Sequence, residues 1–469
     1  MPRLLSNIRF WIVLFFLIRL YGITQAPLEI GHNWRQSTVT MVARNFLEID
    51  NNILYPRIDI AGNKTGITGM EFPIFNYLIY LCSEIFGYQH WYGRLINLIC
   101  SSLGLWFFFG LVKRYFGDKT ALFSTIILAV SIWFQFSRKI MPDTFSMSLI
   151  IAGLYFASNY LEHRVKKAKH LALLLFFALT CIGTLSKLPS AYLLVVLTLF
   201  IFNQSYPTKE KIILCIAAFV AVIPAMVWYF YWVPNLVEQF GFWHFFMGKD
   251  LSTGFSEIAQ NLNLTLKRFY ESALKYIAFA AFLFGLIQSI LKKNKALLAV
   301  FSLCFVAFLL VVFKAGFTFY HHNYYIIPFV PVMALLAGYG VSHLPKPKVS
   351  TAILTLIVLE GVINQAQDFS IKNNHEELLN LEEQLDQFST KSDLFLINSG
   401  EYPTPMYFAH RKGWVDFNDK IADAAYIAEL KSKGLSHILI LKKAFGTNLE
   451  LASYTLVENN ETFALYRVD

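Results

Sequence analysis

Apolar stretches long enough to cross a bilayer as helices recur along this chain, at 10–25, 92–112, 121–137, 145–161, 171–186, 191–202, 212–233, 276–291, 297–313, 325–343 and 351–363. They predict an all-α polytopic membrane protein with about eleven transmembrane helices. Polar positions cluster between them. The longest polar insertion is the first, about 26–91, where a turn of a few residues would suffice to join two spans. Beyond residue 366 the apolar runs shorten and alternate. An acidic amphipathic helix is predicted over 373–388, strands over 393–398, 437–441, 454–457 and 462–468, and a helix over 421–433. The expected organisation is a transmembrane domain, 1–366, carrying the large loop, and a small extracytoplasmic α/β domain, 367–469.

The basic residues give this pattern a direction. Lys113 and Arg114, Lys166 and Lys167, Lys209 and Lys211, Lys292 and Lys293, and Lys346 and Lys348 all fall in alternate short loops. The positive-inside rule then puts the N-terminus in the cytoplasm. The loop 26–91, the 234–275 segment and the C-terminal domain are expected outside, on the periplasmic face of the cytoplasmic membrane. The net charge of +9 is thereby accounted for as topology anchors, which argues against nucleic acid as a partner. Arg19 within the first span and the lack of a small-residue cleavage site mark that span as an uncleaved anchor. Composition agrees with the membrane class: 56% of residues are hydrophobic, 17% aromatic and 15% charged. The five cysteines are scattered with no CxxC, which argues against a disulfide framework or a zinc site.

Candidate chemistry concentrates outside the spans. The first loop opens on His32-Asn33-Trp34-Arg35-Gln36 and closes on Glu71-Phe72-Pro73-Ile74-Phe75-Asn76-Tyr77-Leu78. Arg35 has the bidentate fork that suits phosphate, and Glu71 among apolar neighbours suits proton transfer, or else a loop ion pair. His32 is a base, a ligand or an interfacial histidine. Asp143, after Met141-Pro142 at a helix start, is either a cap or a carboxylate presented beside Arg138 and Lys139. Lys187, ahead of Pro189, either snorkels or holds a lipid phosphate. In the run Tyr320-His321-His322-Asn323-Tyr324-Tyr325, adjacent histidines do not share a helix face, so one of them is a headgroup or phosphate contact rather than half of a metal pair. His244 lies in an aromatic segment and reads as interfacial. No nucleotide-binding fingerprint is present.

Taken in order, these segments resemble the GT-C glycosyltransferases that use polyprenyl-phosphate sugars, in particular the protein O-mannosyltransferases and the lipid A aminoarabinose transferases. The likeness covers about 10–345 and rests on Ala43-Arg44-Asn45-Phe46-Leu47 with Tyr55-Pro56 and the Glu71–Leu78 run, Gly93-Arg94-Leu95, Met141-Pro142-Asp143, the Lys187 segment and Tyr324–Pro331. It implies an inverting hexosyl- or pentosyltransferase with a GT-C fold in the cytoplasmic membrane. The implied partners are a polyprenyl-monophosphate sugar, membrane lipids, and a lipid, glycan or protein acceptor. Catalytic candidates are Asp143, Glu71 and His32. Substrate and phosphate candidates are Arg35, Gln36, Trp34, Arg138, Lys187, His322 and Tyr325. No cofactor is assigned from the sequence. A divalent metal is left open, with Glu71 and His244 as its candidate ligands. The family's acidic residue at the start of the first loop is missing from 32–36, so the base is open among Asp143, Glu71, His32 and Asp59. A transporter of lipid-linked glycans and a catalytically inactive scaffold are the alternatives.

Overall fold

The computed structural model describes residues 4–162, 165–241, 248–447 and 449–468. Among them, six helices are long and apolar enough to cross a membrane: Tyr92–Phe116, Pro142–Glu162, Lys167–Ser186, Thr208–Phe240, Lys295–Ala315 and Asn323–Ser342. A seventh is reached if Leu262–Ala273 and Tyr276–Leu291, bent by 101°, form one span. The other four stretches of the predicted eleven are helical over shorter or broken lengths. The first is helical over Ile8–Arg19, 12 residues. The third breaks at Ser131, whose extended backbone and side chain cap a new helix, Ile132–Phe136, after Asp118–Val130. The sixth is largely a 3-10 helix, Leu188–Val196, entered through Pro189. The last is Pro347–Ile363, 17 residues.

The chain divides into two compact units. The first comprises Met1–Ile23, Arg94–Phe230 and Phe246–Ala366. In it Pro142–Glu162 packs on Lys166–Ser186, and Val330–Ser342 packs on both Tyr276–Leu291 and Asp118–Val130. Small residues set these approaches. A Cβ on Gly285 would fall 1.9 Å from the Leu336 carbonyl oxygen, and one on Gly338 would fall 2.1 Å from Ser124 Oγ. Backbones this close are how apolar helices gain packing contacts where no hydrophobic effect drives them together.

The second unit comprises Thr24–Gly93, the described part of Tyr231–Phe245, and Gln367–Asp469. Its centre is a five-stranded sheet of β1 (Leu394–Ile397), β2 (Lys412–Val415), β3 (Leu435–Leu441), β4 (Thr455–Asn459) and β5 (Phe463–Arg467), ordered β2-β1-β3-β5-β4. β1 runs parallel to β2 and β3, whereas β5 is antiparallel to β3 and β4. Alternation along the strands splits their side chains between two cores. Leu396, Ile438 and Ile440 meet Ile427 and Leu430 of the Ala424–Ser432 helix. Phe395, Ile397, Leu439 and Leu441 meet Met41, Val42 and Phe46 of the Asn33–Glu48 helix, with Leu28, Ile58 and Met70. The first loop thus forms one face of the same core as the C-terminal residues, where the sequence places it with the membrane spans. It also closes the sheet edge: Gly62 N–H donates to the Gly413 carbonyl at 2.6 Å, and Gly413 N–H to that of Asp59 at 3.0 Å. The helix expected over 373–388 is a 3-10 helix, Asn373–Asn380, followed by Leu381–Leu385.

His410 links these layers. Its Nδ1 lies 2.6 Å from Glu382 Oε1 and its Nε2 lies 2.8 Å from Glu48 Oε2. Two carboxylates on two ring nitrogens require both to carry protons, which is the imidazolium. Burial opposes the charge, but the bonds to Glu382 and Glu48 outweigh it and raise the His410 pKa. In turn the His410 bond, with Lys391, holds Glu382 at about 2 against burial. A raised histidine pKa stabilises fully below its unfolded value of about 6.5, and the contribution is lost as pH rises through the folded value. His410→Gln is therefore expected to lower the unfolding midpoint most near pH 6 and progressively less toward pH 9. A difference that is flat across this range refutes the linkage.

Candidate functional site

The first unit places Asp143 and Lys187 together. Pro142 starts the Pro142–Glu162 helix, with Asp143 in its first turn. The turn before it is clamped by Asn97, whose Nδ2 donates to the carbonyls of Phe136, Lys139 and Met141 at 2.9, 2.8 and 3.2 Å. Thr144 Oγ1 donates back to Asn97 Oδ1 at 3.0 Å. Lys187 caps the end of Lys166–Ser186, and Ser146 Oγ bonds the Gly183 carbonyl at 2.7 Å, which ties the two helix ends. Lys187 Nζ reaches Asp143 Oδ1 at 3.5 Å, and both side chains are about nine-tenths buried. The ammonium also stands 5.8 Å from the Tyr324 ring and 6.0 Å from the Tyr325 ring. Those rings stack at 5.0 Å, and His322 stacks on Tyr324 at 5.4 Å.

These groups wall a small cleft lined by Asp143, Lys187, Pro189, Ser190, Tyr324, Tyr325 and Pro328. The buried Ser190 hydroxyl, in its wall, has no hydrogen-bond partner among the described residues. A buried cation beside a carboxylate, with aromatic walls and a hydroxyl, is chemistry that can offset the charge of an anionic group. Arg138 is buried in the preceding turn, and its Nη2 donates to the Gly22 carbonyl at 3.0 Å.

The second unit holds the first-loop candidates on the N-terminal turns of the Asn33–Glu48 helix. His32 is its cap, in the left-handed conformation at φ 61°. Arg35 and Glu71 form a buried ion pair, so the loop-pairing alternative for Glu71 is the one seen, although away from solvent. Gln36 Nε2 donates to Glu29 Oε2 at 2.9 Å. Trp34, partly exposed, accepts from Thr38 through its carbonyl. Asn33 Nδ2 donates to His375 Nδ1 at 3.2 Å, and burial, with Lys372, lowers the His375 pKa to about 4, so this ring is neutral. Asp59 is bound by Arg44 at 3.1 Å and by Asn45 at 2.7 Å.

Sequence reasoning overlooked Glu29, a buried first-loop acid three residues before His32, and Ser190, which follows Lys187-Leu188-Pro189. An acid in the apolar run Ala26-Pro27-Leu28-Glu29-Ile30 was the available signal for the first. For a metal, the fit is poor. Among the described residues no three His, Cys, Asp or Glu side chains gather as a ligand set. Glu71 faces the Arg35 cation, and His244 lies outside the described residues.

Comparison with known proteins bears on this arrangement. Residues 71–230 match the family described as dolichyl-phosphate-mannose-protein mannosyltransferase. No curated protein matches the sequence. ArnT from Cupriavidus metallidurans bound to undecaprenyl phosphate superposes with a TM-score of 0.61 at 12% identity, over 97% of this chain and 98% of that one. The apo Archaeoglobus fulgidus oligosaccharyltransferase superposes with a TM-score of 0.55 at 12% identity, over 92% of this chain and 69% of that one. The chain has the GT-C glycosyltransferase fold. The family match takes in Glu71, Asp143, Lys187 and Ser190, while Tyr324 and Tyr325 lie beyond it.

Proposed function

We propose that this multi-pass membrane protein is a glycosyltransferase that moves a sugar from a polyprenyl-monophosphate donor to an acceptor on the outer face of the cytoplasmic membrane. The observation that carries this reading is the buried Asp143–Lys187 pair in a cleft walled by Tyr324 and Tyr325. The superposed ArnT holds undecaprenyl phosphate, a ligand of the anionic, apolar-tailed class that this cleft suits.

In the proposed reaction an acceptor hydroxyl attacks the anomeric carbon, and the bond from that carbon to the phosphate oxygen breaks. The electron pair leaves on polyprenyl phosphate, where Lys187 offsets the developing charge, and the hydroxyl proton passes to Asp143. Attack opposite the leaving group inverts the anomeric carbon. Ser190 donates to a phosphate oxygen, and Tyr324, Tyr325 and His322 flank the donor. Arg138 remains a candidate phosphate contact from the adjacent turn. In the loop unit Glu71 holds the Arg35 guanidinium, and Glu29 holds Gln36. Arg35, Gln36 and Trp34 are proposed as substrate contacts, with Glu71 and His32 as secondary candidates for proton transfer.

The direct test supplies the purified protein in lipid with a panel of labelled polyprenyl-phosphate sugars and a membrane extract as acceptor source. Release of polyprenyl phosphate, with label on a new product of inverted configuration, is expected. Donor binding without label transfer across the whole panel and several extracts would overturn the reading in favour of transport.

A further inference from the structure

Two sides of the Asp143–Lys187 cleft are built from the same uncommon element. Leu188–Val196, nine residues, and Asn323–Phe329, seven residues, are both 3-10 helices. Runs beyond about four residues are uncommon for this helix, because its hydrogen bonds are poorly aligned and its side chains eclipse. Each run also contains a proline, Pro189 near the entry of the first and Pro328 inside the second. Proline donates no N–H to a helical ladder. Both prolines line the cleft, with Ser190 on one side and Tyr324 and Tyr325 on the other. Elements this weak in their own hydrogen bonds keep a fixed separation only when a bond from outside their ladders ties them.

Tyr192 supplies that bond. Its hydroxyl, from the first 3-10 helix, donates to the carbonyl of Pro328, in the second, at 2.8 Å. With three residues per turn, positions i and i+3 share a face. Pro189 and Tyr192 are so related in the first helix, and Tyr325 and Pro328 in the second. The bond thus lies one turn along from the cleft on both walls, where Lys187 Nζ stands 5.8 Å and 6.0 Å from the Tyr324 and Tyr325 rings. The phenol ring of Tyr192 is held in turn. It packs 5.4 Å from Phe308, which stacks on Phe329 at 5.0 Å with the ring planes 10° apart. Phe308 and Phe329 are buried, so apolar packing braces the ring while its hydroxyl carries the tie.

We infer that Tyr192 is a positioning residue for the donor, its hydroxyl fixing the separation of the two walls between which the donor phosphate is received. For the identity of the ligand this step rests on the transferase reading. Without the tie, the Asn323–Phe329 run shifts against Lys187, and the two tyrosine rings no longer flank the ammonium in one arrangement. The Lys187 charge survives that shift. The loss therefore falls on affinity for the lipid phosphate.

Tyr192→Phe removes the hydroxyl and keeps the ring on Phe308. The measurement is equilibrium binding of undecaprenyl phosphate to the full-length protein in nanodiscs, read as Kd and as lipid bound per protein, with hydrogen exchange of the same samples. The Kd is expected to rise roughly three- to tenfold, the worth of one hydrogen bond, with the stoichiometry unchanged. Peptides covering Asn323–Phe329 should exchange faster, and those covering the start of the Pro142–Glu162 helix should not. An unchanged Kd overturns the inference. So does a loss of bound lipid at unchanged Kd, which is what a purely structural role of the hydroxyl produces. A wild-type protein that binds the lipid with a Kd sensitive to Tyr192→Phe, yet transfers no sugar, counts against the transferase reading and leaves Tyr192 in its role. No binding by the wild type overturns both.

Discussion

Asp143→Asn is expected to lower the turnover number for sugar transfer by about 10²–10⁴-fold, the usual worth of a positioned general base, while donor affinity changes little. The substitution is nearly isosteric and keeps an acceptor oxygen toward Lys187, 3.5 Å away in the native pair. What it removes is the site that takes the acceptor's proton. Lys187→Met should act differently. It deletes charge that opposes the leaving phosphate, so both donor affinity and turnover fall, the latter by roughly 10²–10³-fold, as when one oxyanion-stabilising donor is lost. The double variant separates two accounts of the pair. If Asp143 is the base and Lys187 the phosphate ligand, the separate roles give losses that largely multiply. If Asp143 only holds Lys187 in position, either single variant already removes the shared function, and the double loses no more than Lys187→Met. Transfer by Asp143→Asn within tenfold of wild type would rule out the base assignment.

How much of this was readable from the chain differs from element to element. The spans around 92–112, 145–161 and 297–313 were legible because apolarity over a membrane-length run is a local property. The run at 121–137 looks equally continuous. It breaks because Ser131 prefers to bond the backbone of Trp133 over continuing the helix, a choice made by one hydroxyl. In the C-terminal region β1 and β3 follow from their alternating apolar residues. β2 reads Lys412-Gly413-Trp414-Val415, with a glycine where a strand signal would need a β-branched or aromatic residue, and exists by pairing with β1 and covering by Asp59–Gly62. That covering joins positions some 350 residues apart in sequence, which no periodicity records. The site shows the same limit. Asp143 and Lys187 were separately visible as an acid at a helix start and a lysine at a helix end. Their pairing, the Tyr324 wall and the open Ser190 hydroxyl exist only once three segments converge.

The largest stability effect is expected from Arg44→Met, in the loop unit. Arg44 donates to Asp59 Oδ2 at 3.1 Å and to the Tyr407 carbonyl at 3.0 Å, and lies 4.6 Å over the Tyr407 ring. That tyrosine's hydroxyl also meets Tyr88, and His90 Nδ1 at 2.7 Å. Asp59 is buried, and burial raises its pKa even though Arg44 and Asn45 pull it down. Removing the guanidinium leaves that carboxylate without its counter-charge, at a cost of roughly 3–5 kcal/mol for a broken buried pair. The protein has one escape, which is to protonate Asp59. Holding a carboxyl neutral at pH 7 against an unfolded value near 3.9 costs about 4 kcal/mol at 1.36 kcal/mol per unit, so the two routes are comparable. The sign of the pH dependence follows. In the variant the folded pKa is raised further above the unfolded one, so stability is greatest at low pH and is lost as pH climbs past about 4. The gap between wild-type and Arg44→Met unfolding midpoints should therefore be small near pH 4 and widen steadily to pH 7. Asp59→Leu added to Arg44→Met should recover much of the loss at pH 7, since neither charge of that pair then remains. A gap independent of pH, or a double variant less stable than Arg44→Met, would show that Arg44 acts through its stacking on Tyr407 and not through Asp59.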